Sequence, residues 1–278
     1  MAGTKPTRRE FLEVNAKALA AAALAAGCGA NRVSMLSETS HRPWPLPQTR
    51  WLLSMRWHDL LFLHWPIRPD LIRPLIPHVL ELETFDDWCW IGVVPFRMSG
   101  VQPRYVPIPL VFPELNVRTY VRTRGRSGVW FFSLDAANWL AVRGARWLGL
   151  PYYDAVMAVE RKGEAVHYES VRVHDKSAPA EFIGSYQPTG PVYQALPGTL
   201  DHWLTERYCL YGALKPERIV YGEIHHAPWP LQPAEVELRA NTMIQPLGIE
   251  RPDTEPICHF ARYQQVVAWP IVPIERMK

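Results

Sequence analysis

Lysine is scarce in this chain: six stand in 278 residues, at Lys5, Lys17, Lys162, Lys176, Lys215 and Lys278. A catalytic amine needs an apolar setting or a neighbouring cation to lose its proton. None of these positions offers that, since Lys162 falls in a turn and Lys176 and Lys215 lie beside Asp175 and Pro216. Cysteine is also sparse, and the four at positions 28, 89, 209 and 258 form no CxxC pair. If Cys28 leaves or takes lipid, three remain, an odd number that argues against a full disulfide framework. HExxH is missing, and adjacent His225 and His226 would point to opposite faces of a strand, so no metal is expected. There is no Gly-x-Ser-x-Gly elbow and no glycine loop to cradle phosphate, so no cofactor is expected. A basic surface is lacking too. Five of the 30 basic residues and two of the 27 acidic ones lie in the first 34 positions, leaving 25 of each. That balance excludes a broad nucleic-acid footprint.

What the chain has instead is apolar bulk cut into short pieces. Hydrophobic residues make up 48% of it, with 12 Trp and 27 Pro. Pro66, Pro69, Pro74, Pro77, Pro103, Pro107, Pro109 and Pro113 interrupt the apolar runs, which disfavours long helices. The composition predicts an α+β, mostly β domain of short strands and ordered loops over residues 51–278, without an internal boundary.

Residues 1–30 stand apart. Thr7-Arg-Arg-Glu-Phe-Leu12 precedes an Ala/Leu run at 18–26 that is too short and too weakly apolar for a good membrane span. This resembles a twin-arginine export signal, and Leu24-Ala-Ala-Gly-Cys28 resembles a lipoprotein box with Cys28 as the lipidated residue. Membrane association is expected only through such a signal or lipid. The alternative is a cytoplasmic protein that starts at Met35. Residues 31–50, with His41-Arg-Pro-Trp-Pro-Leu-Pro47, read as a linker.

Residues 51–65 fit a buried strand or an entry helix, and residues 68–80 one or two helical turns. Strands are predicted over 88–96, 116–123, 129–135, 155–160, 165–173, 182–186, 219–224 and 258–269. A Pro-rich loop covers 103–113. One helix is predicted from an Asp135 cap to Leu148, stopped by Gly149, and another from Thr199 to Tyr211, closed by Gly212.

The strongest site signal is the hairpin strand. Val117, Thr119, Val121 and Thr123 alternate with Asn116, Arg118, Tyr120 and Arg122. Parity places Glu114, Asn116 and Arg118 on one face, where a carboxylate, an amide and a guanidinium need partners, a ligand or water. Three readings fit: a site for a small organic anion, an acid–base enzyme, or a buried Glu114–Arg118 ion pair with no ligand.

Several segments together carry a family pattern: Trp57-His…Phe62-Leu-His-Trp65, Phe85-Asp-Asp-Trp-Cys-Trp-Ile-Gly-Val-Val-Pro-Phe96, Glu114-Leu-Asn-Val-Arg-Thr-Tyr-Val121, Gly128-Val-Trp-Phe-Phe-Ser-Leu-Asp135, Leu150-Pro-Tyr-Tyr153, Thr205-Glu-Arg-Tyr208 and His226-Ala-Pro-Trp-Pro-Leu231. In this order they resemble the YqjF-like, or DUF2071, family, over roughly residues 50–235. That family is similar, more distantly, to acetoacetate decarboxylase-like proteins. The resemblance implies a closed antiparallel β-barrel with peripheral helices and an inner pocket. It also implies a catalytic lysine after a Gly-aromatic-Pro turn, aided by a strand glutamate and an arginine. Gly149-Leu-Pro-Tyr-Tyr153 matches the turn, with Tyr152 and Tyr153 where lysines would be, and Glu114 matches the glutamate. The ligand-binding candidates are therefore Glu114, Asn116, Arg118, Tyr152 and Tyr153, with Arg207 and His226 as further lining.

Replacing Arg8 and Arg9 together with lysine should trap the precursor in the cytoplasm, as read by cell fractionation. A native protein whose N-terminal sequencing begins at Met35 would end the export reading.

Overall fold

The computed structural model describes residues 36–105 and 109–277. The export motif, Cys28 and Met35 lie outside the described residues. The chain divides into two units, residues 1–41 and 42–278. In the first, the Ser40 amide donates to Glu38 Oε1 at 3.2 Å. The second begins with a buried Arg42, whose guanidinium donates to Glu223 at 3.1 Å, while Trp44 Nε1 donates to the same carboxylate at 2.9 Å. Residues 42–50, predicted as linker, are thus tied down at those two side chains.

The described residues of the second unit form strands β1 (Leu53–Ile67), β2 (Glu81–Leu82), β3 (Cys89–Pro103), β4 (Leu110–Thr123), β5 (Arg126–Ala136), β6 (Tyr152–Lys162), β7 (Ala165–Arg172), β8 (Glu181–Pro188), β9 (Cys209–Lys215), β10 (Arg218–His225), β11 (Gln232–Asn241), β12 (Ile257–Ala268) and β13 (Val272–Pro273). Pairings run β4–β5–β9–β10–β12–β1–β3 and back to β4. Two residue pairs make the β5–β9 contact and two make the β10–β12 contact, so the sheet closes only partially in a ring. A fully antiparallel barrel was expected, but β5 pairs in parallel with both β6 and β9. The helix Trp139–Trp147 crosses between β5 and β6, and such a crossover returns the chain in the same direction.

Strand β1 answers the strand-or-helix question: its apolar run is long because both faces are covered. Leu61, Leu63 and Trp65 pack with Leu115, Val117, Tyr168 and Phe182, between the ring and the β6–β7–β8–β11 meander. Leu60 and Phe62 pack on the opposite, inner face with Val94, Phe96 and Trp229. The side of the strand facing inward changes at Asp59, which has φ 49°. Before it Met55 and Trp57 face inward, and after it Leu60 and Phe62 do. Arg97 at 2.9 Å and Arg262 at 2.8 Å hold its buried carboxylate.

Two predicted helices are shorter than expected. Asp135 is not a cap but a strand residue, fully buried and gripped by Arg172 at 2.7 and 2.8 Å. Asn138 caps the helix instead, accepting from the Ala141 amide at 3.0 Å. Thr199 does begin a helix, but it ends at Thr205. Cys209–Lys215 leaves it to pair with β5 and β10, because sheet pairing satisfies more backbone groups than a frayed last turn. The predicted loop at 103–113 is shortened at both ends by β3 and β4. Cys89, Cys209 and Cys258 are free thiols.

Candidate functional site

Antiparallel partners project to the same face, so the register of β1, β3, β4 and β12 sorts side chains into rows. His64 lies opposite Gly92, and Gly92 opposite Arg118. Asn116 is matched with Val94 and Leu134, and Glu114 with Phe96 and Ala136. His259 on β12 faces Phe62 on β1. Phe62, His64, Glu114, Asn116, Arg118 and His259 therefore share the inner face. Gly92 allows the first row to close, since a Cβ there would stand 3.0 Å from His64 Nε2 and 3.4 Å from Arg118 Cγ.

Glu114 is 2% exposed, and its carboxylate accepts from the Tyr152 hydroxyl at 2.8 Å. Burial pushes its pKa up to about 8, with Asp135 adding to the rise, against hydrogen bonds from Tyr152 and Asn116 that lower it. Burial likewise raises the Tyr152 phenol well above its ordinary range. Tyr152 owes its place to the preceding turn. Gly149 has φ 89°, and a Cβ there would meet the Leu214 amide at 3.0 Å, so only glycine sits there without strain. Tyr153 points away from this group, packing its ring 4.2 Å from the Arg172 guanidinium and edge-on to His174. The two tyrosines are not a pair, because neighbouring strand residues alternate faces.

Arg118 stays partly exposed, donates to the Leu204 carbonyl at 3.3 Å and lies 5.2 Å from the Phe62 ring. No ion pair joins it to Glu114 among the described residues, so the reading of a buried Glu114–Arg118 pair is corrected: the glutamate's partner is a phenol. Several buried atoms of this face have no hydrogen-bond partner, among them Asn116 Oδ1, Arg118 Nε, His64 Nδ1 and His259 Nδ1, along with the Trp57 and Trp229 indole nitrogens. Such orphans are rare in a folded interior.

Arg207 is buried beside Tyr120. It donates to Glu83 at 2.6 Å and to the Trp203 carbonyl at 2.7 Å, and lies 4.8 Å from the Tyr120 ring. Its charge is thus already paired. His226 has Nδ1 2.7 Å from the Ala227 carbonyl and stacks on Tyr208 at 4.7 Å. It reaches the site through Trp229, which meets Phe62 edge-on at 5.0 Å.

Sequence reasoning missed His64, Tyr120, Asp201 and His259. Tyr120 hydroxyl lies 2.7 Å from His64 Nε2 and donates to the Leu204 carbonyl at 2.8 Å. Burial first, then the neighbouring Arg118 and His259, holds His64 well below its ordinary range, so this imidazole is neutral. The usable signal for Tyr120 was the parity that selected Glu114 and Arg118. No such signal reached His64, because the bulge at Asp59 intervenes. Lys162, Lys176 and Lys215 are exposed, and among the described residues no lysine lies on the inner face. Two concavities of about 340 and 410 Å³ open around Ser185 and Glu237 and around Arg68 and Trp88; none of the inner side chains lines either.

The ring and its crossover define an acetoacetate decarboxylase-like fold. The structure of an acetoacetate decarboxylase-like enzyme from Sphingomonas wittichii RW1 superposes with a TM-score of 0.53 at 14% identity, over 84% of this chain and 97% of that one. The enduracididine biosynthesis enzyme MppR complexed with pyruvate gives 0.58 at 12% identity, over 82% of this chain and 92% of that one. The DUF2071 family model, described as an uncharacterized conserved protein, matches residues 54–265, and the chain belongs to this family. Uncharacterized protein YqjF of Bacillus subtilis (strain 168) is 43% identical over 230 residues, covering 81% of this chain and 94% of its own length.

The Glu114 carboxyl should make stability pH-dependent. Unfolded, it ionises near the ordinary 4.5; folded, near 8. Between these values the folded state binds one proton more, so stability falls as pH rises and levels off above the upper one. The neutral isostere Glu114→Gln should remove this slope, a component on the order of a few kcal/mol. Urea melts across that range check it, and parallel curves for the two proteins would refute it.

Proposed function

We propose that this chain binds a small organic anion on the inner face of its ring, with Arg118 as the cation that holds it. The observation carrying this reading is the pair of orphaned buried atoms at Arg118 Nε and Asn116 Oδ1, side by side on one strand face. A planar guanidinium with a free edge matches a carboxylate's two oxygens. Asn116 Oδ1 would accept from a ligand hydroxyl or amide. Glu114, kept protonated below about pH 8, can donate to a carbonyl oxygen. The pyruvate in the MppR complex is a molecule of this kind in a similar fold. A second reading, an acid–base enzyme acting on a keto acid without an imine, is favoured by the raised Glu114 beside Tyr152.

Either reading excludes the lysine chemistry of acetoacetate decarboxylases. Tyr152 follows the turn where the resemblance places an amine, and a phenol cannot form an imine. Arginine cannot replace it, because its guanidinium stays protonated.

Arg118→Gln should weaken binding of pyruvate or acetoacetate by roughly 10- to 100-fold, the worth of a charged hydrogen bond, while the circular dichroism spectrum stays unchanged. Calorimetry showing equal affinity for both proteins would sink the anion assignment. Incubation with acetoacetate and borohydride should leave the intact mass of the domain unchanged. A stable adduct mapped to Lys162, Lys176 or Lys215 would overturn the non-imine reading.

A further inference from the structure

The inner face holds a second arrangement that anion binding does not use. Asp201 lies on the short helix Leu200–Thr205, and its Oδ1 is 3.0 Å from His259 Nε2. Its Oδ2 accepts from the Tyr193 hydroxyl at 2.9 Å. A carboxylate only accepts, so Nε2 carries a proton, and it is Nδ1 that bears the lone pair whenever the ring is in its neutral form. That Nδ1 is buried without a partner, in a residue only 3% exposed.

The surroundings of this nitrogen are chemically selective. His64 stands 6.5 Å away, centroid to centroid, and meets Arg118 over Gly92. Tyr120 hydroxyl donates to Leu204 and is therefore spent, so His64 Nε2 donates to Tyr120 and His64 Nδ1 is bare as well. Around His259 stand Phe62 and His64 from β1, Pro233 from β11 and Asp201 from the helix, while Arg118 from β4 lies on the same inner face beside Phe62. A cation for a carboxylate, 5.2 Å from the Phe62 ring, thus shares the inner face with an oriented imidazole whose Nδ1 has no partner.

We infer that His259, oriented by Asp201, is a general base that removes a proton from a small oxo acid held by Arg118. This rests on the anion-binding reading above. The substrate class follows from the base. A neutral imidazole abstracts a proton from carbon only when a carbonyl beside that carbon can take the electron pair. In the step, the C–H bond breaks and its proton goes to His259 Nδ1. The bonding pair becomes the new C=C, and the carbonyl π pair moves onto oxygen, where Arg118 offsets the charge. Return of the proton to carbon restores the acid, so no oxidant or reductant is required. Asp201 is a positioning residue: it fixes the tautomer and stabilises the imidazolium, as the carboxylate of a Ser-His-Asp triad does. His64 stays neutral and accepts from a ligand hydroxyl.

The test is hydrogen exchange at carbon in deuterated water, followed by proton NMR, with pyruvate, 2-oxobutyrate and acetoacetate as probes. Binding is read in parallel by saturation-transfer NMR. The full chain should speed exchange of at least one probe above the buffer rate. His259→Gln should lower that rate about 10²- to 10⁴-fold while binding persists. Asp201→Asn should lower it too and move the inflection of the pH–rate profile to lower pH, because a carboxylate no longer stabilises the imidazolium, whereas Asp201→Glu should restore part of the rate with the original profile; a merely structural aspartate would not give that split. Probes that bind without exchange, or exchange that survives His259→Gln, would overturn the base while leaving the anion site standing. Absence of binding by all three would overturn both.

Discussion

The bulge at Asp59 is the constraint on which the inner face depends. A regular strand from Leu53 to Ile67 would put His64 on the face opposite Met55 and Trp57. The residue in the left-handed region at Asp59 moves Leu60, Phe62 and His64 to the inner side instead. Holding a non-glycine residue there costs on the order of 1–2 kcal/mol. Its carboxylate offsets this by joining β1 to β3 through Arg97 and to β12 through Arg262. The Tyr186 hydroxyl adds a bond to the Asp59 carbonyl at 2.8 Å, which ties the meander to the same point. One irregular residue thereby fixes the relation of three strands whose side chains make the site.

Around Arg118 the inner face is arranged so that little cancels its charge. Glu114, the carboxylate nearest in strand parity, is pushed toward its neutral form by burial and bonds to Tyr152. His64 is held neutral. Asp135, also buried, is taken by Arg172, and Glu83 is taken by Arg207. Burying a charge is costly unless it is paired, so these three carboxylates have each found a cation or been pushed toward the neutral form. The Arg118 guanidinium keeps solvent contact, and its Nε has no hydrogen-bond partner.

Gly92 and Gly149 serve the same end by different means. Gly92 removes the atom that would separate His64 from Arg118, whereas Gly149 lets the turn before β6 lie against the backbone of β9. Together they place an imidazole, a guanidinium and a phenol on one surface drawn from three distant segments.

Local alternation in the sequence determined a mostly β chain, the β4–β5 and β6–β7 hairpins, β3, β8, β10 and β12, and the shared face of Glu114, Asn116 and Arg118. These rest on period-two patterns and turn residues, which act between neighbours. The same alternation runs through Ala234, Val236, Leu238 and Ala240, so β11 was legible although no strand was predicted there. Tertiary structure alone decided the rest. Whether Asp135 capped a helix or paired with Arg172 depended on a residue 37 positions away. The helix after Thr199 stopped where a partner strand offered better pairing. His64 and His259 entered the site only through a bulge and a cross-strand register. Each of these turns on which distant chain supplies the partner, and no local pattern of residues carries that choice.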